Sequence, residues 1–248
     1  MPFFDFSNKK IMVVGGDSGI GRQTVLLLDQ LGASVVIVGR NNEKLMDVKA
    51  CLSNSRSHLY LQYDVTDFSG CKDLFESAIL DGKKLDGLVY SAGIAKAVPL
   101  RIMTADEYNS IFAVNYFGFV NMVSMYSKRK FNTGGSIVGI SAVNVHVPQK
   151  CMTLYASSKA AVEAAVKTMA LELADQRIRV NAVIPGAVAS PMSDMIDKDT
   201  MEEIVSHQLL GMLTSEQIAN FIVFLLSDKS SAITGRSIYA DGGALGQY

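Results

Sequence analysis

Val13-Val14-Gly15-Gly16-Asp17-Ser18-Gly19-Ile20-Gly21-Arg22 closes the first apolar run of the chain and opens its first helical stretch. Gly15, Gly19 and Gly21 form a G-x-x-x-G-x-G pattern. Without side chains at those positions a turn can tighten, and backbone N–H groups can approach an anion at the start of the following helix. The spacing differs from the commoner G-x-G-x-x-G, and a plain strand-to-helix turn also uses glycines. Its place after the first strand and before a helix makes it a loop shaped for a dinucleotide, with Asp17, Ser18 and Ile20 between the glycines.

Outward from this loop the chain keeps one rhythm. KIMVV at 10–14, SVVIV at 34–38 and SIVGI at 136–140 read as buried strands, and further strands are expected near 59–63, 86–90, 178–184 and 236–240. Between them, residues 23–31, 42–52, 68–80, 106–130, 153–174 and 215–227 carry apolar residues at helical spacing. Thr104 and Glu107 make a capping box ahead of the longest early helix. Strand and helix alternate throughout, and a parallel crossover must travel over a face of the sheet. The expected fold is therefore α/β, a doubly wound Rossmann-type parallel sheet of about seven strands with helices on both faces. Residues 1–248 read as one domain, since a chain of this length buries one sizeable core and no linker or repeat interrupts it. In such sheets ligands bind beyond the carboxyl ends of the strands, at the switch point of strand order.

Composition narrows the function classes. Lys+Arg 23 against Asp+Glu 24 gives a net charge of -1, which offers no general field for nucleic acid or anionic lipid. Cys51, Cys71 and Cys151 lie far apart with no zinc-ligand spacing, so reduced thiols and no metal are expected. MPFFDFSNKK at 1–10 places Asp5 among its apolar residues and its lysines after them, the reverse of a secretory signal, and no apolar run approaches a membrane span. A cytoplasmic location is expected.

Two further places bear on chemistry. The second strand ends in VGRNN, so Gly39 and Arg40 stand where dinucleotide folds often carry a carboxylate for the adenosine ribose. Arg40 would present a guanidinium fork to a 2'-phosphate, which favours NADP(H) over NAD(H), although Asp17 opposes a phosphate. Tyr155 and Lys159 form a Tyr-x-x-x-Lys pair, which a helix places on one face. An ammonium there can stabilise a phenolate. Tyr126 and Lys130 repeat the spacing, so spacing alone decides nothing; that pair ends an amphipathic helix, whereas Tyr155 follows a strand and opens a helix of small residues.

GGDSGIG at 15–21, DVTD at 64–67, SAG at 91–93, VN at 114–115, YASSK at 155–159, RVNAVIPGAVASPM at 179–192 and DGG at 241–243 together resemble the short-chain dehydrogenase/reductase family over nearly the whole chain. The resemblance implies that Tyr155 donates or accepts the substrate proton. Lys159 would hold the nicotinamide ribose and lower the tyrosine pKa, and Asn115 would steady a relay water. It also implies that Asp64 and Val65 meet the adenine, that Ala92 and Gly93 line the cofactor, and that Pro185, Gly186, Val188 and Ser190 embrace the nicotinamide. Two departures stand out. Tyr90-Ser91 replaces the family's usual Asn-Asn, losing an amide that braces the sheet. The family's catalytic serine usually lies thirteen residues before the tyrosine, and that position holds Ala142. Ser141 takes the role if the loop carries one extra residue; otherwise strand alternation turns it away. Asn144 and His146 are substitute polar candidates.

The expected activity is NADP-dependent interconversion of a ketone and a secondary alcohol, with a small or medium apolar carbonyl compound as substrate and no metal. Alternatives are a 3-oxoacyl-carrier-protein reductase, with Lys128, Arg129 and Lys130 as a docking patch, and an inactive NADPH-binding sensor, which Ala142 favours. An epimerase or dehydratase of the extended branch would call for a longer substrate domain after the sheet. Residues 192–213, rich in methionine, are expected to form a substrate lid. The resemblance implies a homotetramer or dimer, with helices 106–130 and 153–174 at one interface and the last strand at another.

Overall fold

In the computed structural model of the chain, residues 4–53 and 58–244 are described; residues 1–3 of the amino-terminal stretch read above lie outside them. β1 (Lys10–Val14), β2 (Ser34–Gly39), β3 (Leu59–Gln62), β4 (Leu85–Tyr90), β5 (Asn132–Ile140), β6 (Ile178–Pro185) and β9 (Arg236–Ala240) form one sheet in the order β3-β2-β1-β4-β5-β6-β9. Every pairing is parallel. The order reverses between β1 and β4, which makes that the switch point. A separate two-residue ladder joins β7 (Val188–Ala189) to β8 (Leu213–Thr214).

The period-two alternation of the central strands sorts their side chains between two cores. Met12, Val14, Val36, Val38, Leu88, Tyr90 and Ile137 face one, under α3 (Cys71–Ala78), α5 (Gly118–Tyr126) and α6 (Thr153–Leu173). Ile11, Val13, Val35, Ile37, Val89, Val138 and Ile140 face the other, under α1 (Gly19–Gln30), α2 (Asn42–Ala50) and α8 (Ser215–Leu226). β1 is buried along its whole length because both faces are covered. Each such Val, Leu or Ile taken out of water contributes about 1.5–3 kcal/mol before the cost of ordering it.

The predicted helix over 106–130 is divided. α4 (Ala105–Phe112) starts on the Thr104–Glu107 capping box, a π-helical turn covers Ala113–Phe117, and α5 follows. Apolar periodicity cannot register the extra residue of a π turn, which commonly marks a functional site. Tyr90 explains why the bulge holds: its hydroxyl donates to the Val114 carbonyl at 2.5 Å, and a side chain at Gly118 would strike that hydroxyl. The tyrosine thus ties the end of β4 to the π turn.

Candidate active site

The glycine loop after β1 has the geometry its residues permit. Gly15 and Gly19 have positive φ of 76° and 50°. A Cβ on Gly15 would lie 2.7 Å from the Ala92 nitrogen, and one on Gly21 would lie 2.0 Å from the Gly15 carbonyl. The loop therefore packs against the Ser91-Ala92-Gly93 turn after β4 and leads straight into the amino end of α1, where N–H groups and the helix dipole favour an anion.

Around this point the carboxyl ends of the strands enclose a cleft of about 920 Å³. Gly15, Asp17, Ser18, Gly19, Ile20, Arg40, Val65, Ala92 and Gly93 line one part of it, and Ser141, Tyr155, Lys159, Pro185, Gly186, Val188 and Ser190 line another. Gly21 lies beneath the loop and Asn115 beneath the Gly93 turn. Asp64 turns its carboxylate to its own chain, accepting from the Thr66 nitrogen and hydroxyl at 2.9 and 2.7 Å. Burial opposes its charge, but those bonds and the Arg40 guanidinium outweigh that and hold Asp64 below the usual carboxylate range. Room for an extended dinucleotide, glycines where side chains would block the cradle, and an amino helix end for a phosphate all fit a nicotinamide cofactor.

α6 supplies the reactive pair. Tyr155 and Lys159 are one turn apart and both buried, with the ammonium 5.9 Å from the phenol ring centre. Lys159 Nζ donates to the Ile140 carbonyl at 2.9 Å. Burial pushes the Tyr155 phenol up to about 12 and the Lys159 ammonium down to about 8. Asn115, on the π turn, accepts from the Ile94 nitrogen at 2.8 Å and donates to the Ile94 carbonyl and the Ser158 hydroxyl. Ser158 in turn donates to the Tyr155 carbonyl at 2.7 Å. One asparagine thus joins the loop after β4 to the helix that carries the tyrosine. A Cβ on Gly93 would lie 3.3 Å from Lys159 Nζ and 3.4 Å from Asn115 Oδ1, so a glycine keeps that corner open.

The β5 ladder shifts register against β4 between Asn132 and Ser136, and from Gly135 to Ile140 it runs evenly beside β6. Ser141 continues the ladder, its nitrogen donating to the Val183 carbonyl at 2.8 Å, and its side chain turns to α6. The hydroxyl donates to Glu163 Oε1 at 2.5 Å and also lies 3.4 Å from the Lys159 carbonyl. Its hydroxyl is thus engaged by α6, while the residue itself lines the cleft. His146 Nε2 approaches the same Glu163 carboxylate at 3.1 Å, so it too is engaged elsewhere. Beside Ala142 the cleft instead carries Asn144 and Gln149, with the Asn144 amide donating to Gln149 Oε1 at 2.7 Å. Gln149 was not singled out in the sequence, where nothing distinguishes it from any loop glutamine.

Gln208 was also not foreseen. It is buried at the base of the 192–213 segment, accepts from the Ala187 nitrogen, and donates to the Gly211 carbonyl at 2.7 Å. A Cβ on Gly186 would collide with its side-chain oxygen. Met192, Ile196, Met201 and Ile204 of this segment line the cleft, the last two from α7 (Lys198–Ser206). Tyr126 and Lys130, the second pair of the same spacing, are structural: the buried phenol donates to the Gly134 carbonyl at 2.6 Å and the ammonium pairs with Glu76. Lys128, Arg129 and Lys130 lie between α5 and the start of β5, at the end of the sheet opposite the cleft.

A family model described as enoyl-(acyl carrier protein) reductase matches residues 14–244. The 3-oxoacyl-(acyl-carrier-protein) reductase of Thermotoga maritima is 36% identical over 242 residues, covering 95% of this chain and 97% of that protein. The glucose 1-dehydrogenase of Gluconobacter oxydans is 33% identical over 250 residues, covering 98% and 94%. A solved short-chain dehydrogenase/reductase from Brucella melitensis, described as a glucose/ribitol dehydrogenase, superposes with a TM-score of 0.92 at 26% identity, covering 97% of this chain and 98% of that one.

Proposed function

The chain belongs to the short-chain dehydrogenase/reductase family, and from that premise we propose an NADP(H)-using enzyme that interconverts a ketone and a secondary alcohol, with Tyr155 as proton donor and acceptor. The observation that carries this reading is the buried Tyr155–Lys159 pair in the same cleft as the glycine loop. The nicotinamide, when bound, supplies or accepts the hydride. Pro185, Gly186, Val188 and Ser190 would hold its ring end, Gly15 to Gly21 its phosphates, and Val65 with the Asp64 turn its adenine. Arg40 would face the 2'-phosphate, which is the ground for naming NADP(H).

The chain's own residues account for the proton. Tyr155 keeps its proton at neutral pH because burial disfavours the phenolate, and it delivers that proton to the carbonyl oxygen during reduction. Lys159 stabilises the phenolate left behind. Asn115 orders the water through which the proton is restored, beside the open corner at Gly93. Ser141 acts as a positioning residue, tying β5 to Glu163 on α6. The hydrogen bond to the substrate oxygen that Ala142 cannot make falls to the Asn144–Gln149 amides.

The substrate would be a small or medium apolar carbonyl compound lying under Met192, Ile196, Met201 and Ile204, with residues 192–213 as its lid. The relatives that act on 3-oxoacyl-carrier-protein substrates favour a second reading, a 3-oxoacyl thioester reductase. A cytoplasmic homo-oligomer fits the exposed apolar side chains of Tyr108, Phe117 and Leu171, on α4, the π turn and α6, and the free edge of β9. The test is oxidation of NADPH and NADH with ketones, diketones and 3-oxoacyl thioesters. Turnover that falls by about 10²-fold or more in Tyr155→Phe is expected. Tight NADPH binding with no turnover on any carbonyl would instead favour the sensor.

A further inference from the structure

The end of β2 is where dinucleotide folds of this kind often place a carboxylate for the adenosine ribose, and here it is Gly39. The space beside that glycine is nonetheless taken by a carboxylate. A Cβ built on Gly39 would lie 2.7 Å from both Cγ and Oδ2 of Asp17. A side chain at the end of β2 would begin where the Asp17 carboxylate already sits, so the acid reaches the customary place from the glycine loop instead of from the strand. Asp17 takes no hydrogen bond among the described residues. It lines the cleft together with Gly39, Arg40 and Lys44.

Three acids and two bases therefore meet at this end of the cleft. Asp17 stands over Gly39, Arg40 lies close enough to Asp64 to stabilise its charge, and Glu43 and Lys44 both stand near the start of α2. Their formal charges leave one negative charge in excess. A 2'-phosphate brings about two negative charges toward Arg40 and Lys44 but also toward an unpartnered carboxylate. A ribose with a free 2'-hydroxyl offers that carboxylate a donor.

We propose that Asp17, lying over Gly39, receives the adenosine ribose hydroxyls and lets the site take NAD(H) as well as NADP(H), with selectivity set by Asp17 against Arg40. This rests on the cleft being a nicotinamide-dinucleotide site, as proposed above. The site then holds both cofactors within about tenfold of each other, and each of these side chains tips the balance in one direction.

The test reads binding without turnover. Calorimetry with 5'-AMP and 2',5'-ADP, and fluorescence titration with NADH and NADPH, are made on the wild type, Asp17→Asn, Asp17→Ser and Arg40→Ala, each checked for native far-UV dichroism. Asp17→Asn and Asp17→Ser are expected to shift the dissociation-constant ratio at least tenfold toward the phosphorylated ligand of each pair. Arg40→Ala is expected to shift it at least tenfold the other way. The two Asp17 variants guard against a loss peculiar to one of them. A ratio unmoved within twofold in both, or a wild type that prefers either cofactor by clearly more than tenfold, overturns the proposal while leaving the dinucleotide site standing. If no dinucleotide binds the wild type, the proposed function falls with it.

Discussion

Tyr155 and Lys159 respond to the same burial in opposite directions, and this sets how the rate should follow pH. The phenol, raised to about 12, holds its proton well past the neutral range, whereas the ammonium, lowered to about 8, gives up its proton just above it. The lysine charge is present below pH 8 and is lost as pH rises through it. Reduction, which needs both the phenolic proton and the ammonium, is expected to show kcat/KM level below about pH 7 and falling above about 8. Oxidation of the alcohol needs the phenolate, which forms only as pH rises toward about 12, so its rate should still be climbing well above the interval in which reduction falls. Rate profiles in both directions check this, and a reduction profile level to pH 10 would contradict it. The missing serine gives a second expectation. If the Asn144–Gln149 amides orient the substrate oxygen, Gln149→Leu should lower kcat by about tenfold or more, since a single oxyanion donor is worth up to 10²–10³. Adding Ala142→Ser to that variant should restore part of the loss in steady-state kinetics. Most of the residues singled out in the sequence line the cleft: the glycine loop and the Tyr-x-x-x-Lys pair state their geometry locally, and Val65, Ala92, Pro185 and Val188 were named through the resemblance. The side to which Ser141 turns was not legible there, since it depends on the even stretch of β5 after its register shift and on Glu163, twenty-two residues later.

At the level of elements, the π turn and the base of the 192–213 segment decide how well the site is held. The π turn places Asn115 where it can grip both the loop after β4 and the start of α6, and it depends on the Tyr90 hydroxyl beside Gly118. The sequence over 106–130 shows only a long apolar periodicity, and one residue more in a single turn leaves that pattern nearly unchanged, so a continuous helix was the natural expectation. The strands were easier to place: with both faces covered, they are short runs of Val and Ile that resemble nothing else in the chain. Gln208 is invisible to such patterns because its meaning comes from Ala187, Gly186 and Gly211, which the fold brings to it. Replacing it by leucine leaves the Ala187 nitrogen and the Gly211 carbonyl without that partner, at a cost of about 1–3 kcal/mol. The sheet does not depend on it. Native-state proteolysis between residues 192 and 210 should therefore quicken by about tenfold or more in Gln208→Leu, with a higher substrate KM and little change in the global unfolding midpoint. A fall in the midpoint that matched the local opening would place Gln208 in the global core.

For the molecule as a whole, the open sheet ends at β3 and β9, and apolar side chains remain in water on α4, the π turn and α6. Leu171 is 81% exposed, on the outer side of a helix whose inner side packs on the sheet. If those helices meet their copies in an assembly, Leu171→Glu should convert the oligomer to a smaller species in light scattering while leaving the far-UV dichroism intact. A wild type that elutes as a monomer would refute the interface. The ladder of Val188–Ala189 with Leu213–Thr214 has a consequence of another kind. The chain departs from the sheet and comes back at one place, so the excursion between those strands is a closed annex, and doubling the length of such a loop costs only about 0.6 kcal/mol in closure entropy. Variation there is thermodynamically cheap, and a descendant of this protein can acquire a new diet by rewriting that annex while each strand of the main sheet keeps its neighbours.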